Sequence, residues 1–176
     1  GTCLHRGCIP AKELLETATV VRTVRHAAEF GVGTSEPTVD LAASQARKHK
    51  VIDQLTKGLE GLLAGRKVTM INSRGRRAEG KERTIVCDDG SEVTGRALVL
   101  AMGSLPRALP LPGFEYDGVK VMSSDHVLDL DRIPARVAVV GGGAIGCEFA
   151  SFLRDVGSEV TILEALPQVL SGVDQQ

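Results

Sequence analysis

Two groups of residues have the types and spacing to do chemistry. The first is Cys3-Leu4-His5-Arg6-Gly7-Cys8, two thiols set just ahead of Pro10. Proline's fixed φ suits the first helical position, and its missing N–H costs nothing there. Cys8 therefore lies near a helix N-terminus, where free N–H groups and the helix dipole favour a thiolate. Arg6 and Lys12 add positive charge. A low-pKa thiol beside a second thiol can exchange with a disulfide substrate. The second group is Gly141-x-Gly143-x-x-Gly146, followed by Glu164. In such a pattern the first glycine makes a tight turn. The second lets backbone approach a pyrophosphate, and the third lets helix and strand pack closely. The helix that follows offers N–H groups to phosphates. A carboxylate at 164 can accept hydrogen bonds from a ribose diol and repels a 2′-phosphate, which favours NAD over NADP.

Each group has a plainer reading. The thiols could form an inert structural disulfide, join His5 in a zinc site, or be two unrelated buried cysteines. Zinc clusters of the C-x₂₋₄-C form bring a second ligand pair downstream, and Cys87 and Cys147 fall in a strand and a helix instead, as ordinary core thiols. One close pair among 4 cysteines does not imply an oxidising compartment. The glycines could make a ligand-free turn, Glu164 a solvated strand end, and Glu148 a favourable charge on the first turns of a helix.

The elements that must position these groups can be read from periodicity. Residues Gly1 to Lys12 have loop composition, and a helix is expected from Ala11 to Phe30, with Leu14, Leu15, Ala18, Val21 and Val24 as its apolar stripe and Gly31 and Gly33 as its stop. A second helix is expected from Leu41 to Ala64. Ala42, Ala46, Ile52, Leu55, Leu59 and Leu62-Leu63 form its stripe, while Lys48, Lys50, Asp53, Lys57 and Glu60 face water. Val68 to Ile71 and Thr84 to Cys87 read as strands, and Asp88 to Ser91 as a turn into Glu92-Val93. Ala97 to Met102 is a continuous apolar run that fits a strand buried on both faces. Prolines 110, 112 and 134 punctuate a crossover. Val137 to Val140, the glycine turn, a helix to Val156 and Val160 to Leu163 then read as β-α-β.

Composition bounds the answer. The 176 residues carry 21 basic and 22 acidic groups, a net charge of −1, without the basic excess of a nucleic-acid binder. No apolar run approaches the ~20 residues of a membrane span, and the residues show no charged-then-apolar signal pattern. A hydrophobic content of 43% excludes disorder. The chain opens on Gly1-Thr2-Cys3 without Met and closes on Val173-Asp174-Gln175-Gln176, so a piece of something longer is expected.

Gly1-Thr2-Cys3-Leu4-x-x-Gly7-Cys8-Ile9-Pro10-x-Lys12 resembles the redox-active disulfide of the flavin-dependent pyridine-nucleotide disulfide oxidoreductases. The resemblance continues at Ala101-Met102-Gly103-Ser104 and from Gly141 to Glu148. With Cys8-Ile9-Pro10 and Glu164, it is strongest to the branch that oxidises protein-bound dihydrolipoamide and reduces NAD⁺. The resemblance implies an α/β fold. Residues 1–112 would be part of an FAD-binding Rossmann-like domain that carries the redox-disulfide helix. Residues 113–134 would be a crossover, and 135–176 the first βαβ of an NAD-binding Rossmann-like domain.

It also implies roles. Cys3 would be the interchange thiol and Cys8 the thiolate against the flavin. Lys12 would lie beside the flavin and pair with Glu148. Thr2, Gly7, Ala101, Gly103 and Ser104 would line the FAD site, and Gly75, in a basic turn, would touch the adenine. Gly141, Gly143, Ala144, Ile145, Gly146, Glu148 and Glu164 would hold NAD. No metal is implied. The partner would be the lipoyl domain of 2-oxo-acid dehydrogenase complexes, and the intact enzyme a cytoplasmic homodimer.

Met102 departs from the family's Ala-Thr-Gly. The FAD-pyrophosphate glycines would precede Gly1. A second FAD-phosphate segment, the dimerisation domain and a catalytic His–Glu pair would follow Gln176, since His5, His26, His49 and His126 do not match that base. The alternatives are a glutathione- or mercuric-reductase type of enzyme, or a nucleotide-binding fragment without turnover of its own.

Overall fold

Cys3 and Cys8 sit on two consecutive helices. In the computed structural model, which describes residues 1–173, α1 spans Thr2–Arg6 and α2 spans Cys8–Arg25, with Gly7 between them. The expected loop before Lys12 is thus helical. Pro10 is the third residue of α2 rather than the first, a position whose N–H would also lack an intrahelical partner. Gly7 is required by proximity: a Cβ there would lie 3.1 Å from the Thr2 carbonyl oxygen and 3.2 Å from Cys3 Cα. Ala11, Leu14, Ala18 and Val21 form the buried stripe of α2. A 3₁₀ turn, Ala27–Phe30, follows and ends on Gly31 at φ +78°.

The chain divides into two compact units, Gly1–Thr56 with the residues from Ser104 onward, and Lys57–Gly103. In the first unit, α3 (Leu41–Gly65, whose last turns belong to the second unit) buries Leu41 and Ile52. The short helix α4 spans Ser124–Leu128, β4 Arg136–Val140, α5 Ala144–Asp155 and β5 Glu159–Leu163. Strands β4 and β5 pair in parallel, Arg136 opposite Glu159 through Val140 opposite Leu163, with α5 as the crossover. The fold is α/β and the βαβ is Rossmann-like; both strands and the end of the helix fall within one residue of the bounds expected, while α5 begins at Ala144, inside the expected glycine turn. The core joins Ala11, Leu14 and Ala18 of α2 to Phe149, Phe152, Leu153 and Val156 at the C-terminal side of α5, with Leu41 and Leu128. Arg22 closes its edge on Asp155 at 2.9 Å. Phe152 is 1% exposed. Phe152→Ala should cost about 3–5 kcal/mol, read as a lowered midpoint in chemical unfolding with an unchanged slope.

Lys48 corrects the sequence expectation. It does not face water but is 1% exposed. Its ammonium donates to the Leu128 carbonyl at 2.6 Å and to Asp129 Oδ1 at 2.8 Å. A buried ammonium persists because it is paired and hydrogen-bonded. Gln45 donates to the carbonyls of Leu128 and Leu130, so one face of α3 staples the end of α4. The expected apolar stripe of α3 is largely exposed: Ala42, Ala46, Leu55, Leu59 and Leu62 all face outward.

The second unit is an antiparallel meander, β1 (Gly75–Arg77), β2 (Thr84–Cys87) and β3 (Glu92–Thr94). The β2–β3 hairpin turns at Asp88 to Ser91 as expected, with Gly90 at φ +81°. The structure shows two strands fewer than predicted here and one more. Val68 to Ile71 and Ala97 to Met102 are irregular and mostly exposed. An apolar run becomes a buried strand only when neighbours supply its ladder and cover both faces, and the described residues supply neither. Strand β1 went unforeseen because Gly-Arg-Arg carries no β-propensity; pairing with β2 forms it. Residues 174–176, where the expected break in the NAD fold falls, lie outside the described residues. Among the described residues no helix is long and apolar enough to cross a membrane.

Candidate active site

Cys3 and Cys8 are joined as a disulfide with Cα atoms 4.7 Å apart, and both residues are exposed. Cys8 is the first residue of α2, and no side chain caps that N-terminus. Cys8 sulfur is thus placed where the unpaired N–H groups of α2 stabilise negative charge. No side chain of α1 is buried. The oxygen of Thr2 accepts a hydrogen bond from the Ser104 N–H at 3.1 Å, so two residues expected at the FAD site meet within one unit. Arg6 faces Asp125 at 3.6 Å.

Lys12, one turn into α2, forms an ion pair with Glu148 on the second turn of α5. The packing of α2 on α5 fixes this meeting, because Leu14 and Phe149, close neighbours of the pair in sequence, are both in the core. The pair is half-exposed, and its energetic worth is small. Its importance is positional, since it ties the cysteine helix to the helix of the glycine turn.

The glycine turn has the expected geometry at each position. Gly141 stands at φ +105°, a conformation only glycine adopts freely. A Cβ on Gly146 would collide with the carbonyl oxygen of Gly141. Gly143 caps the N-terminus of α5, and a Cβ there would meet nothing within 4 Å, which leaves room for a ligand's approach. Ala144 and Ile145 open α5 and are exposed. The site fits a dinucleotide pyrophosphate: open space at Gly143 beside free helix N–H groups, in a turn where Gly142 and Gly146 have no room for a side chain.

Glu164 follows β5. Its Oε2 accepts the Gly142 N–H at 2.7 Å and its Oε1 the Leu166 N–H at 2.9 Å. The Leu166 N–H, and next the Gly142 N–H, hold the carboxyl below the usual carboxylate range. The folded state therefore binds this proton less readily than the unfolded chain. The stabilisation is complete above the ordinary carboxyl range and is lost as pH falls through the lowered value. The residues that complete this arrangement, Gly142 and Leu166, carried no signal in the sequence, because they act through their backbones.

Three other expected site residues, Gly75, Ala101 and Gly103, belong to the second unit. Gly75 opens β1, where a Cβ would press against Ile85 Cγ2 at 2.6 Å; the sheet alone gives a reason for glycine there. Ala101 and Gly103 belong to the irregular end of the second unit, with Gly103 at φ +76°. Cys87 is buried and Cys147 half-buried, its thiol 3.3 Å from the Gly142 carbonyl. His126 Nδ1 caps its own helix through Ser123. Among the described residues no cluster of His, Cys, Asp or Glu has the makings of a metal site.

The chain is 40% identical over 171 residues to the dihydrolipoyl dehydrogenase of Chlamydia muridarum (strain MoPn / Nigg), covering 97% of this chain and 37% of that protein. It is 36% identical over 191 residues to a dihydrolipoyl dehydrogenase of Bacillus subtilis (strain 168), covering 99% of this chain and 38% of that one. The HOCl-induced flavoprotein disulfide reductase RclA from Escherichia coli superimposes with a TM-score of 0.76 at 28% identity, over 97% of this chain and 35% of that one. The chain thus spans little more than a third of the length of the curated relatives it matches. The family described as pyridine nucleotide-disulphide oxidoreductase matches residues 1–176, from the disulfide helices to the glycine turn. With a disulfide at a helix N-terminus and a dinucleotide turn built on one core, the chain belongs to the pyridine nucleotide-disulphide oxidoreductase family.

Proposed function

We propose that the protein from which this chain comes oxidises protein-bound dihydrolipoamide to lipoamide with reduction of NAD⁺. The observation that carries the reading is the exposed Cys3–Cys8 disulfide at the start of α2, in the same unit as a glycine turn whose following strand ends in Glu164. The names of the relatives support the substrate class. Thr2, Gly7, Lys12, Gly75, Ala101, Gly103 and Ser104 are proposed to hold FAD, and Gly141, Gly143, Ala144, Ile145, Gly146, Glu148 and Glu164 to hold NAD. When bound, the flavin supplies the two-electron step between dithiol and nicotinamide.

The chain's own part is thiol–disulfide exchange. A substrate thiolate attacks Cys3 sulfur, the Cys3–Cys8 bond breaks, and Cys8 leaves as a thiolate stabilised by the N-terminus of α2. The second substrate thiol, losing its proton, attacks the substrate sulfur of the mixed disulfide. Cys3 is released as a thiolate, the substrate ends as a disulfide, and the cysteine pair ends reduced by two electrons. Lys12 adds positive charge near this pair, held by Glu148. Glu164 accepts hydroxyls of an unphosphorylated ribose.

The proposed partner is a lipoyl domain of a 2-oxo-acid dehydrogenase complex, met by a homodimer in the cytoplasm. The test is a substrate assay on the full-length enzyme. Dihydrolipoamide should reduce NAD⁺ at least about a hundredfold faster than NADP⁺, since a carboxylate at the ribose opposes a 2′-phosphate. An enzyme indifferent to lipoyl substrates but active on another disulfide would assign it to the glutathione- or mercuric-reductase type instead.

A further inference from the structure

Gly142 lies between the fingerprint glycines, is buried, and has both of its hydrogen-bonding groups engaged. Its N–H donates to Glu164 Oε2 at 2.7 Å, and its carbonyl accepts the Leu170 N–H at 2.7 Å. The other oxygen of Glu164 accepts the Leu166 N–H at 2.9 Å. Between these bonds Val169 lies against the turn, so close that a Cβ on Gly142 would stand 2.7 Å from Val169 Cγ1. The segment after β5 thus meets the turn at three places, the Leu170 N–H and the side chains of Glu164 and Val169, while the Leu166 N–H holds Glu164 in place.

We propose that Glu164 is a positioning residue as well as a ribose acceptor: with Leu166 to Leu170 it clasps the glycine turn into phosphate-binding shape before nucleotide arrives. The inference rests on the reading of that turn as an NAD site. The two duties are compatible because each carboxylate oxygen has two lone pairs. One on each is spent on a peptide N–H, and one on each remains for a ribose hydroxyl. Selection against a 2′-phosphate and order in the pyrophosphate cradle are therefore invested in the same side chain. Loss of Glu164 does not simply relax selectivity; it loosens the site for both nucleotides. Glutamine separates the duties in part, since its single carbonyl oxygen can keep one peptide N–H while the charge is gone.

Amide exchange and amide chemical shifts of the full chain, followed by NMR without nucleotide, test the clasp. In Glu164→Ala, exchange at Gly142 and Leu166 should speed up at least about tenfold, with Glu164→Gln between it and wild type. In wild type, the two amide shifts should move together with the Glu164 carboxyl as acid is added. Calorimetric titration of the same proteins should show NAD affinity reduced about tenfold or more in Glu164→Ala, with no matching gain for NADP. Amides that exchange alike in all three proteins and ignore the carboxyl's titration would overturn the clasp. A gain in NADP affinity that mirrors the loss for NAD would overturn it too, and leave charge selection as the residue's sole duty. Wild-type amides behaving as expected in a chain that binds neither nucleotide would sink the NAD reading and the coupling built on it, and leave the clasp as architecture.

Discussion

Cys3→Ser in the full-length enzyme is expected to abolish lipoyl-linked turnover, with a loss of at least about a thousandfold, and Cys8→Ser to do the same. A serine oxygen cannot form or break the sulfur–sulfur bond through which the electrons are proposed to enter. The double variant should be no worse than either single one, because residues that act as a unit are not additive. The effect is separable from misfolding. Both cysteines are exposed and α1 buries no side chain. The stability lost with the bond is bounded by closure of a very short loop, ~2 kcal/mol in the chain-entropy account. Thermal unfolding beside the lipoamide assay checks both statements. Retained turnover in either single variant would refute the assignment of the pair.

Gly146→Ala should be the most damaging change at the nucleotide turn. The added methyl collides with the Gly141 carbonyl oxygen and comes within 3.3 Å of Val139 Cγ1. The first obstacle is backbone and cannot rotate away, so α5 must shift from β4. That shift reaches the proposed site twice, because the same helix carries Glu148 and the N-terminal N–H groups proposed to meet phosphate. A stability loss of about 1–3 kcal/mol is expected from overpacking, with NAD affinity down by at least about a hundredfold. Gly143→Ala is the control. Its backbone at φ −75° suits alanine and its Cβ meets only open space, so stability should stay within about 1 kcal/mol while affinity falls. Unfolding and calorimetric titration of the two variants, side by side, distinguish collision within the fold from obstruction of a ligand.

The contrast between these glycines shows what was legible in the sequence. The βαβ could be read because its signals are local: two apolar strands, a glycine turn and an amphipathic helix, each within ten residues or so. The stripe of α2 could be read for the same reason. Lys48 could not. A lysine surrounded by exposed neighbours on a helix reads as solvated, and only the return of the chain at Leu128 and Asp129 gives its ammonium partners. The run from Ala97 to Met102 failed in the opposite sense, since hydrophobicity states a demand for neighbours and not their presence. The role of Gly142 was hidden because a peptide N–H belongs to every residue type except proline. The Lys12–Glu148 pair emerged from family resemblance; spacing alone carries no information about residues so far apart.

The way the first unit is assembled sets a timetable for its birth. Arg22 on α2 meets Asp155 on α5 across 133 residues of sequence. In sequence, Lys57–Gly103, the second unit, interrupts the first. On a ribosome adding ~5–20 residues per second, the apolar face of α2 waits roughly ten seconds for α5 to cover it. During that interval Leu14, Ala18 and Val21 are open to collapse on the wrong partner, and the nascent thiols of Cys3 and Cys8 are already accessible. Because α2 and α5 share one core, the packing beneath the cysteine helix and that beneath the glycine turn are both completed only once α5 has been made.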